Sequence, residues 1–346
     1  MFFNLYLILF SFLLFFLLYR FKNSFYFFLD NNYIKPQSFH KKPVLRIGGL
    51  VIFLLFLPSL FFFEKTNFIN SLIFIGTLFF IIGLFDDLKI SFRPELRLIL
   101  MVFLSIVLIY LLNIKILNTQ FSFLNKLINN YKIISILLIC LCLLFIVNGS
   151  NFIDGFNGLF IIHFLIILLI LFFVNHKIIS FELKEIIINL VLLSFSFLLF
   201  NFPKSRFFLG DSGVYFLGSL LSLIVIEISN INKSVPPFFF ACLLFYLFFE
   251  VFFSFFRKII QKKNPLKPDR KHLHMLIFMI LENNFKLKKH SNYLTALVVN
   301  ICYLIVIFPL IFFFENQIFC KLYFYLLITF YLLAYYILNK RFKNIH

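Results

Sequence analysis

The feature that most limits what this chain can fold into is a succession of about eleven apolar runs, each roughly 15–20 residues long and separated by short polar loops. They fall near 1–19, 48–63, 67–85, 97–114, 133–147, 159–174, 185–200, 213–229, 236–256, 294–314 and 319–338. An α-helix satisfies its backbone hydrogen bonds internally, and about 20 apolar residues carry it across a bilayer. The expected architecture is an all-α polytopic membrane protein of about 11 transmembrane helices. No linker separates soluble parts, so 1–346 reads as a single integral-membrane domain. The run from Met1 to Tyr19 lacks a basic leader and a small-residue cleavage site, and reads as a retained helix. Only 13% of residues are charged, against about a quarter in soluble domains.

The formal charge of +18 would suit nucleic acid in a soluble protein. Here it reads as basic cytoplasmic loops, and no nucleic-acid partner is expected. One set of loops holds 24 of the 32 Lys and Arg. It includes Arg20, Lys22, Lys35, Lys41, Lys42, Arg46, Lys89, Arg93, Arg97, Lys204 and Arg206. It also takes in the basic 257–290 loop, with Lys286, Lys288 and Lys289, and the tail. The positive-inside rule makes this set cytoplasmic, with the N-terminus outside and the C-terminus inside. All six Asp fall on that same side, as do nine of the ten Gly in or beside its loops. Asp contributes little to topology, so this bias asks for a different explanation: one face constructed for chemistry. The five Cys have neither metal-ligand nor disulfide-framework spacing and read as small buried apolar residues.

Four segments on that face carry the candidate chemistry. The densest, Asn148 through Leu159, packs three Asn, one Asp and three Gly into twelve residues between two apolar runs. Such a cluster at a helix mouth is costly unless it binds something, although a polar turn is the alternative. Gly83 through Lys89 holds the adjacent pair Asp86 and Asp87, which repel unless a divalent cation or a base relieves them. Phe207 through Gly213 holds Asp211 and Ser212, which also suit simple helix caps. Pro268 through His274 places His272 and His274 two residues apart in the most basic loop, where a solvated basic face is the alternative.

Arg46 through Gly49, Gly83 through Asp87, Arg97, Asn148 through Leu159, Phe208 through Gly218 and Asp269 through His274 occur in one order over most of the chain. In that order they resemble the polyprenyl-phosphate N-acetylhexosamine-1-phosphate transferases, glycosyltransferase family four, and their GlcNAc-type branch in particular. The resemblance implies a multi-pass enzyme of the bacterial cytoplasmic membrane with its active site on the cytoplasmic face. It would move GlcNAc-1-phosphate from a UDP-amino sugar to undecaprenyl or another polyprenyl phosphate, releasing UMP, as the first membrane step of an envelope polysaccharide. UDP-FucNAc, UDP-QuiNAc and UDP-MurNAc-pentapeptide remain alternative donors, and a homodimer remains open. The residue chemistry agrees independently: anionic donor and acceptor suit basic loops, and phosphoryl transfer needs positioning and charge neutralisation more than a strong base.

Residue by residue, the resemblance implies that one of Asp86 and Asp87 deprotonates or orients the acceptor phosphate. Asn151 and Asp211 match Mg²⁺ positions, with Mn²⁺ as a substitute, and Asp154 lies near them as a catalytic acid. Phe208 matches an aromatic that stacks on uracil, and Asn148 and Asn157 fall in the donor loop. Arg270, His272 and His274 match positions that hold donor phosphates, and Arg46 could meet a phosphate. The chain departs from the pattern at Ile90, where a third acid is usual, and at Asn157, where many members have Asp. It departs also at Met275, where the branch has another His, and at Glu250, where relatives often have Asp. The rival class is a transporter, whose signs would be broken helices and mid-span ionisable groups; His163, Glu227 and Glu250 lie near expected helix ends.

Overall fold

A computed structural model describes residues 2–30, 43–90, 93–265, 267, 269–283, 287 and 290–343. Lys35, Lys41, Lys42, Lys286, Lys288 and Lys289, and Pro268 of the histidine segment, lie outside these residues. In order the helices are α1 (Phe2–Arg20), α2 (Gly48–Leu60), α3 (Asn67–Asp87), α4 (Pro94–Leu111), α5 (Ser122–Asn130), α6 (Lys132–Ile153) and α7 (Leu159–Asn175). They continue with α8 (Phe181–Asn201), α9 (Gly210–Ile231), α10 (Pro237–Leu243), α11 (Phe245–Ile260), α12 (Leu273–Asn283), α13 (Ser291–Phe312) and α14 (Gln317–Lys343). Between α1 and α2, β1 (Leu29–Asp30) and β2 (Val44–Leu45) form a two-stranded antiparallel ladder.

Every apolar run is helical. Among the described residues, seven helices are long and apolar enough to cross a membrane, and the bent pair α10–α11 makes eight. The apolar helices Tyr6–Arg20, α2, α7 and α12 fall short of that length. The chain is thus an all-α polytopic membrane protein. Several ends obey local chemistry: Thr66 Oγ1 accepts from Ile69 N–H to start α3, Ser180 Oγ accepts from Leu183 N–H to start α8, and Pro94 opens α4.

The bundle is built around α9, which packs against α2, α3 and α6 and is buried at almost every position. Small residues let these backbones approach, which is how helices pack where lipid offers no hydrophobic drive. A Cβ at Gly83 of α3 would lie 2.4 Å from Ser212 N, and one at Gly49 of α2 would lie 2.1 Å from Gly213 Cα. The outer helices are the reverse. On α4, Ile99, Phe103 and Tyr110 face outward, and on α14 so do Leu322, Leu326, Phe330 and Leu333. Apolar surface of that extent is untenable in water and expected against acyl chains. Helix α11 shows the inversion most clearly. It buries Tyr246, Glu250, Ser254 and Arg257 while presenting Phe252, Phe255, Phe256, Ile259 and Ile260 outward.

Three boundaries differ from the sequence expectation. The run at 236–256 is broken at Leu244, with α10 and α11 at 73° to each other. Helix α6 continues to Ile153, six residues past its expected end. Asn148 satisfies its amide by donating to Leu144 O at 2.8 Å, while Gly149 and Ser150 fit closely against Leu247 of α11 and Gly218 of α9. Asn148, Asn151 and Ser150 therefore belong to a helix end, and only Asp154–Gly158 is turn. The basic 257–290 loop also contains a helix of its own, α12.

Candidate active site

The site begins where α3 ends. Asp87 Oδ1 accepts from the backbone N–H of Asp211 at 2.9 Å, and Oδ2 accepts from Ser212 N–H at 3.0 Å and Ser212 Oγ at 2.6 Å. A buried carboxylate of one helix thus caps the first turn of another, satisfying donors that α9 cannot satisfy itself. Gly210 makes this possible: its φ is +80°, and a Cβ there would lie 2.5 Å from Asp87 Oδ2. Arg46 Nη1 stands 3.8 Å from Asp87 Oδ1. The Arg46 guanidinium is anchored by its Nε–H to Asp30 Oδ2 at 3.0 Å, on the strand pair before α2. Burial works against its charge, but Asp211, Asp30 and Asp87 outweigh that and hold its pKa above the ordinary value.

Asp86 forms an ion pair with Arg97 at the start of α4, and the Arg97 guanidinium lies 5.7 Å above the Tyr215 ring. Tyr215 Oη accepts from Asn151 Nδ2 at 2.7 Å, so the Asn151 carbonyl oxygen is its remaining ligand atom. Half-buried Asp154 closes α6 within electrostatic reach of Asp211, Asp87 and Arg46. Burial first, then the charges of Asp211 and Asp87, push its pKa well above the carboxylate range, and Arg46 pulls the other way. Four aspartates therefore converge with two arginines at one end of α2, α3, α4, α6 and α9. Four carboxyl groups stand against two guanidiniums, which makes the cluster attractive to a cation. Asp211 sits in the first turn of α9, where the helix dipole favours a negative charge.

The donor set fits a hard divalent ion of the Mg²⁺ kind, which uses one or two carboxylates and completes its shell with water and substrate phosphates. The candidate oxygens are those of Asp211 and Asn151. Among the described residues, no group of three His, Cys, Asp or Glu could by itself hold a metal ion, so an ion here would depend on such outside ligands.

The histidine segment lies beside this cluster. His272 Nδ1 is 2.9 Å from Glu250 Oε1 and its Nε2 is 3.6 Å from Asp269 Oδ1. Its ring stacks parallel to His274, with centroids 5.6 Å apart, and meets the edge of Phe152 at 5.1 Å. His274 packs 5.8 Å from Phe156 and shares a 3.1 Å hydrogen bond with Tyr246 Oη. Burial lowers the His274 pKa to about 3 and keeps the ring neutral. Asp269 is drawn upward by burial, but its bond to Arg257 outweighs that and holds it below the usual range. Phe152 and Phe156 belong to the 148–159 stretch, so these contacts join the histidines to the acid cluster.

The remaining candidates lie further out. Asn157 is engaged elsewhere: its N–H donates to Asn292 Oδ1 at 2.8 Å and its Nδ2 to Pro203 O at 3.0 Å. Half-buried Phe208 is fixed through its backbone, with N–H to Leu45 O at 2.8 Å and Gly48 N–H to its own O at 3.0 Å. Asn148 is occupied by its own helix, and Arg270 is exposed. Sequence reasoning did not assign roles to Ser212, Tyr215, Asp30 or Glu250. Ser212 and Tyr215 stood inside the Phe208 through Gly218 stretch and Glu250 at a noted departure, whereas Asp30 had no signal beyond its side.

Fold and site together define a polytopic membrane protein with an acidic, arginine-bordered site at one end of its bundle. Residues 69–229, from α3 to α9, match the family model described as glycosyl transferase family 4. The chain is similar to the undecaprenyl-phosphate alpha-N-acetylglucosaminyl 1-phosphate transferase of Thermotoga maritima, 27% identical over 68% of this chain and 68% of that protein. It is 29% identical to the phospho-N-acetylmuramoyl-pentapeptide-transferase of Dictyoglomus turgidum over 57% of this chain and 63% of that one. It is also 29% identical to a probable undecaprenyl-phosphate N-acetylglucosaminyl 1-phosphate transferase of Bacillus subtilis, over 37% of this chain and 36% of the relative. The stretch from α3 to α9 is thus similar to glycosyl transferase family 4. The matched region contains Asp86, Asp87, Asn151, Asp154 and Asp211; Arg46 and the histidine segment lie beyond it.

Proposed function

We propose that this protein transfers N-acetylhexosamine-1-phosphate, GlcNAc-1-phosphate foremost, from a UDP-sugar to a polyprenyl phosphate and releases UMP. The observation that carries this is the convergence of Asp86, Asp87, Asp154 and Asp211 with Arg46 and Arg97 at one end of a membrane bundle. A lipid phosphate and a nucleotide sugar can meet only at the depth of the headgroups, where a helix bundle ends. The names of the relatives point to the same chemistry.

In the proposed reaction an acceptor phosphate oxygen forms a bond to the sugar-bearing phosphorus. The bond from that phosphorus to the bridging oxygen breaks, and UMP leaves with the electron pair. Arg46 and Arg97 offset the charge gathered at the transferring phosphate, and His272 and Arg270 face the donor phosphates. Asp211 and Asn151 would hold Mg²⁺, or Mn²⁺ in its place, which supplies charge neutralisation between donor and acceptor. Of the aspartate pair, Asp87 spends both oxygens on the start of α9, so Asp86 is assigned to the acceptor, directly or through Arg97. Asp154, protonated more readily than an ordinary carboxyl, is placed to exchange a proton at the acceptor.

Arg46, Arg97 and Arg257 at the site end support a cytoplasmic placing of that end in a bacterial inner membrane. Eleven crossings result if α1, α2 and α7 span and α10–α11 counts once. The break at Leu244 is a transporter-like feature. Among the described residues the break has no counterpart in another half, and a single break does not build an alternating gate, so the transferase reading is preferred.

Membranes containing the protein, given undecaprenyl phosphate and UDP-GlcNAc, UDP-FucNAc, UDP-QuiNAc or UDP-MurNAc-pentapeptide in turn, test both function and donor. UMP release with UDP-GlcNAc above the others is expected. Release with none of them refutes the proposal.

A further inference from the structure

Helix α11 carries a carboxylate that the aspartate cluster does not use. Glu250 is 1% exposed, and three donors from three places converge on it. His272 Nδ1 approaches Oε1 at 2.9 Å, the backbone N–H of Leu273 donates to the same oxygen at 3.2 Å, and the Tyr331 hydroxyl donates to Oε2 at 2.7 Å. A buried carboxylate in a membrane helix is kept only when its oxygens are satisfied, and these are. Leu273 N–H and Tyr331 O–H occupy both oxygens as acceptors, so the His272 nitrogen facing Oε1 is the one that carries a proton. The ring plane is fixed as well, between His274 stacked at 9° and the edge of Phe152. The other nitrogen, Nε2, is thereby turned to Asp269 at 3.6 Å and to the loop that carries Arg270.

We infer that Glu250, braced by Tyr331 from α14, is a positioning residue that fixes the plane of His272 and keeps a proton on Nδ1, so that Nε2 is the nitrogen left to take up a proton and, as N–H, donate to the donor phosphates. This rests on the reading of His272 as a donor-phosphate contact. It assigns α14, which lies outside the region matched by the family model, a part in the site. It also gives a reason for glutamate at this position. The side chain must span from His272 to Tyr331, and an aspartate, shorter by one methylene, does not reach both partners where the helix now stands.

The test uses the full chain, purified with lipid, and the variants Glu250→Leu, Glu250→Gln, Tyr331→Phe, His272→Asn and Glu250→Leu with His272→Asn. Ring nitrogens of ¹⁵N-labelled histidine report the tautomer, and the His272 signals are those lost in His272→Asn. Kinetics report kcat and the separate KM values for UDP-sugar and polyprenyl phosphate. Removing partners that orient metal-bound histidines costs about 10–100-fold, and a loss of that size in kcat/KM for the UDP-sugar is expected for Glu250→Leu, with acceptor KM unchanged. Glu250→Gln, which keeps an acceptor oxygen, recovers most of it and keeps the proton on Nδ1. Tyr331→Phe moves the same parameters less, and serves if Glu250→Leu does not fold. The double variant is no worse than His272→Asn alone. The inference is overturned if the two losses multiply, if the His272 tautomer is the same in Glu250→Leu as in the parent, or if acceptor KM moves as far as donor KM. If His272→Asn transfers at the parent rate, the reading of His272 falls and the inference with it. If His272→Asn is impaired and Glu250→Leu is not, the inference alone falls.

Discussion

Asp87 and Ser212 are 125 residues apart in sequence, yet the Asp87 carboxylate accepts both the backbone N–H and the hydroxyl of Ser212, at 3.0 and 2.6 Å. This bond pins the end of α3 to the start of α9 and thereby places Asp211, the residue assigned to the metal. It separates two adjacent acids that look alike in sequence. Asp87 is a buried cap, and Asp86 is a partly open acid paired with Arg97.

The two should respond differently to amide substitution. Asp87→Asn puts an N–H₂ group against N–H donors, and the loss of a buried cap of this kind costs about 1–3 kcal/mol. A lower melting temperature in detergent and low activity are expected together. Asp86→Asn should melt near the parent temperature while kcat falls about 10²-fold or more, the range for a lost acid–base group. Equal melting temperatures for the two variants, both below the parent, would refute this division.

Gly210→Ala should be as damaging as Asp87→Asn without removing any charge. Its φ of +80° disfavours a side chain, and the added Cβ would fall 2.5 Å from Asp87 Oδ2. Loss of thermal stability and of turnover is expected. An alanine variant with parental melting and rate would mean that the cap does not hold α9.

The helices were legible because their signal is redundant: many apolar side chains in each run agree on one answer. The shared side of the aspartates was legible from loop charge. The role of Asp87 was not, because a cap supplied by a distant helix leaves no local pattern, and Asp211-Ser212 read equally well as capping itself. The bend at Leu244 was hidden since neither Gly nor Pro marks it, and the polarity of Asn148 through Asn151 suggested a loop although the amide of Asn148 is satisfied within α6. For the histidine pair a solvated basic face stood as the alternative, whereas Glu250 and Tyr246 draw both rings inside.

His274 gives a stability prediction with a defined sign. Its folded pKa of about 3 lies below the ordinary histidine value, near ~6.5 in an unfolded chain. Between these limits the unfolded state binds more protons, so stability rises with pH and is lost as pH falls from about 6.5 toward 3. Melting in detergent between pH 7.5 and 5 should show this slope, and His274→Asn should flatten it. An identical slope in the variant would contradict neutral burial of the ring.

Metal dependence follows from the charge at the start of α9. Asp211→Ala should abolish transfer, and Asp211→Asn should nearly do so, because the amide keeps an oxygen but loses the charge that holds a hard cation. Excess EDTA should silence the parent protein, and added Mg²⁺ or Mn²⁺ should restore it. Parental rates in excess EDTA would refute the metal assignment.

The most direct measurement of the central claim is single-protein turnover: purified chain, UDP-GlcNAc, undecaprenyl phosphate and Mg²⁺, with UMP and the lipid-linked diphosphate sugar followed together. Equal amounts of the two products are expected from the parent protein, and neither from Asp211→Ala. UMP without the lipid product, the same output from Asp211→Ala, or no product with this or any other UDP-amino sugar would contradict the account.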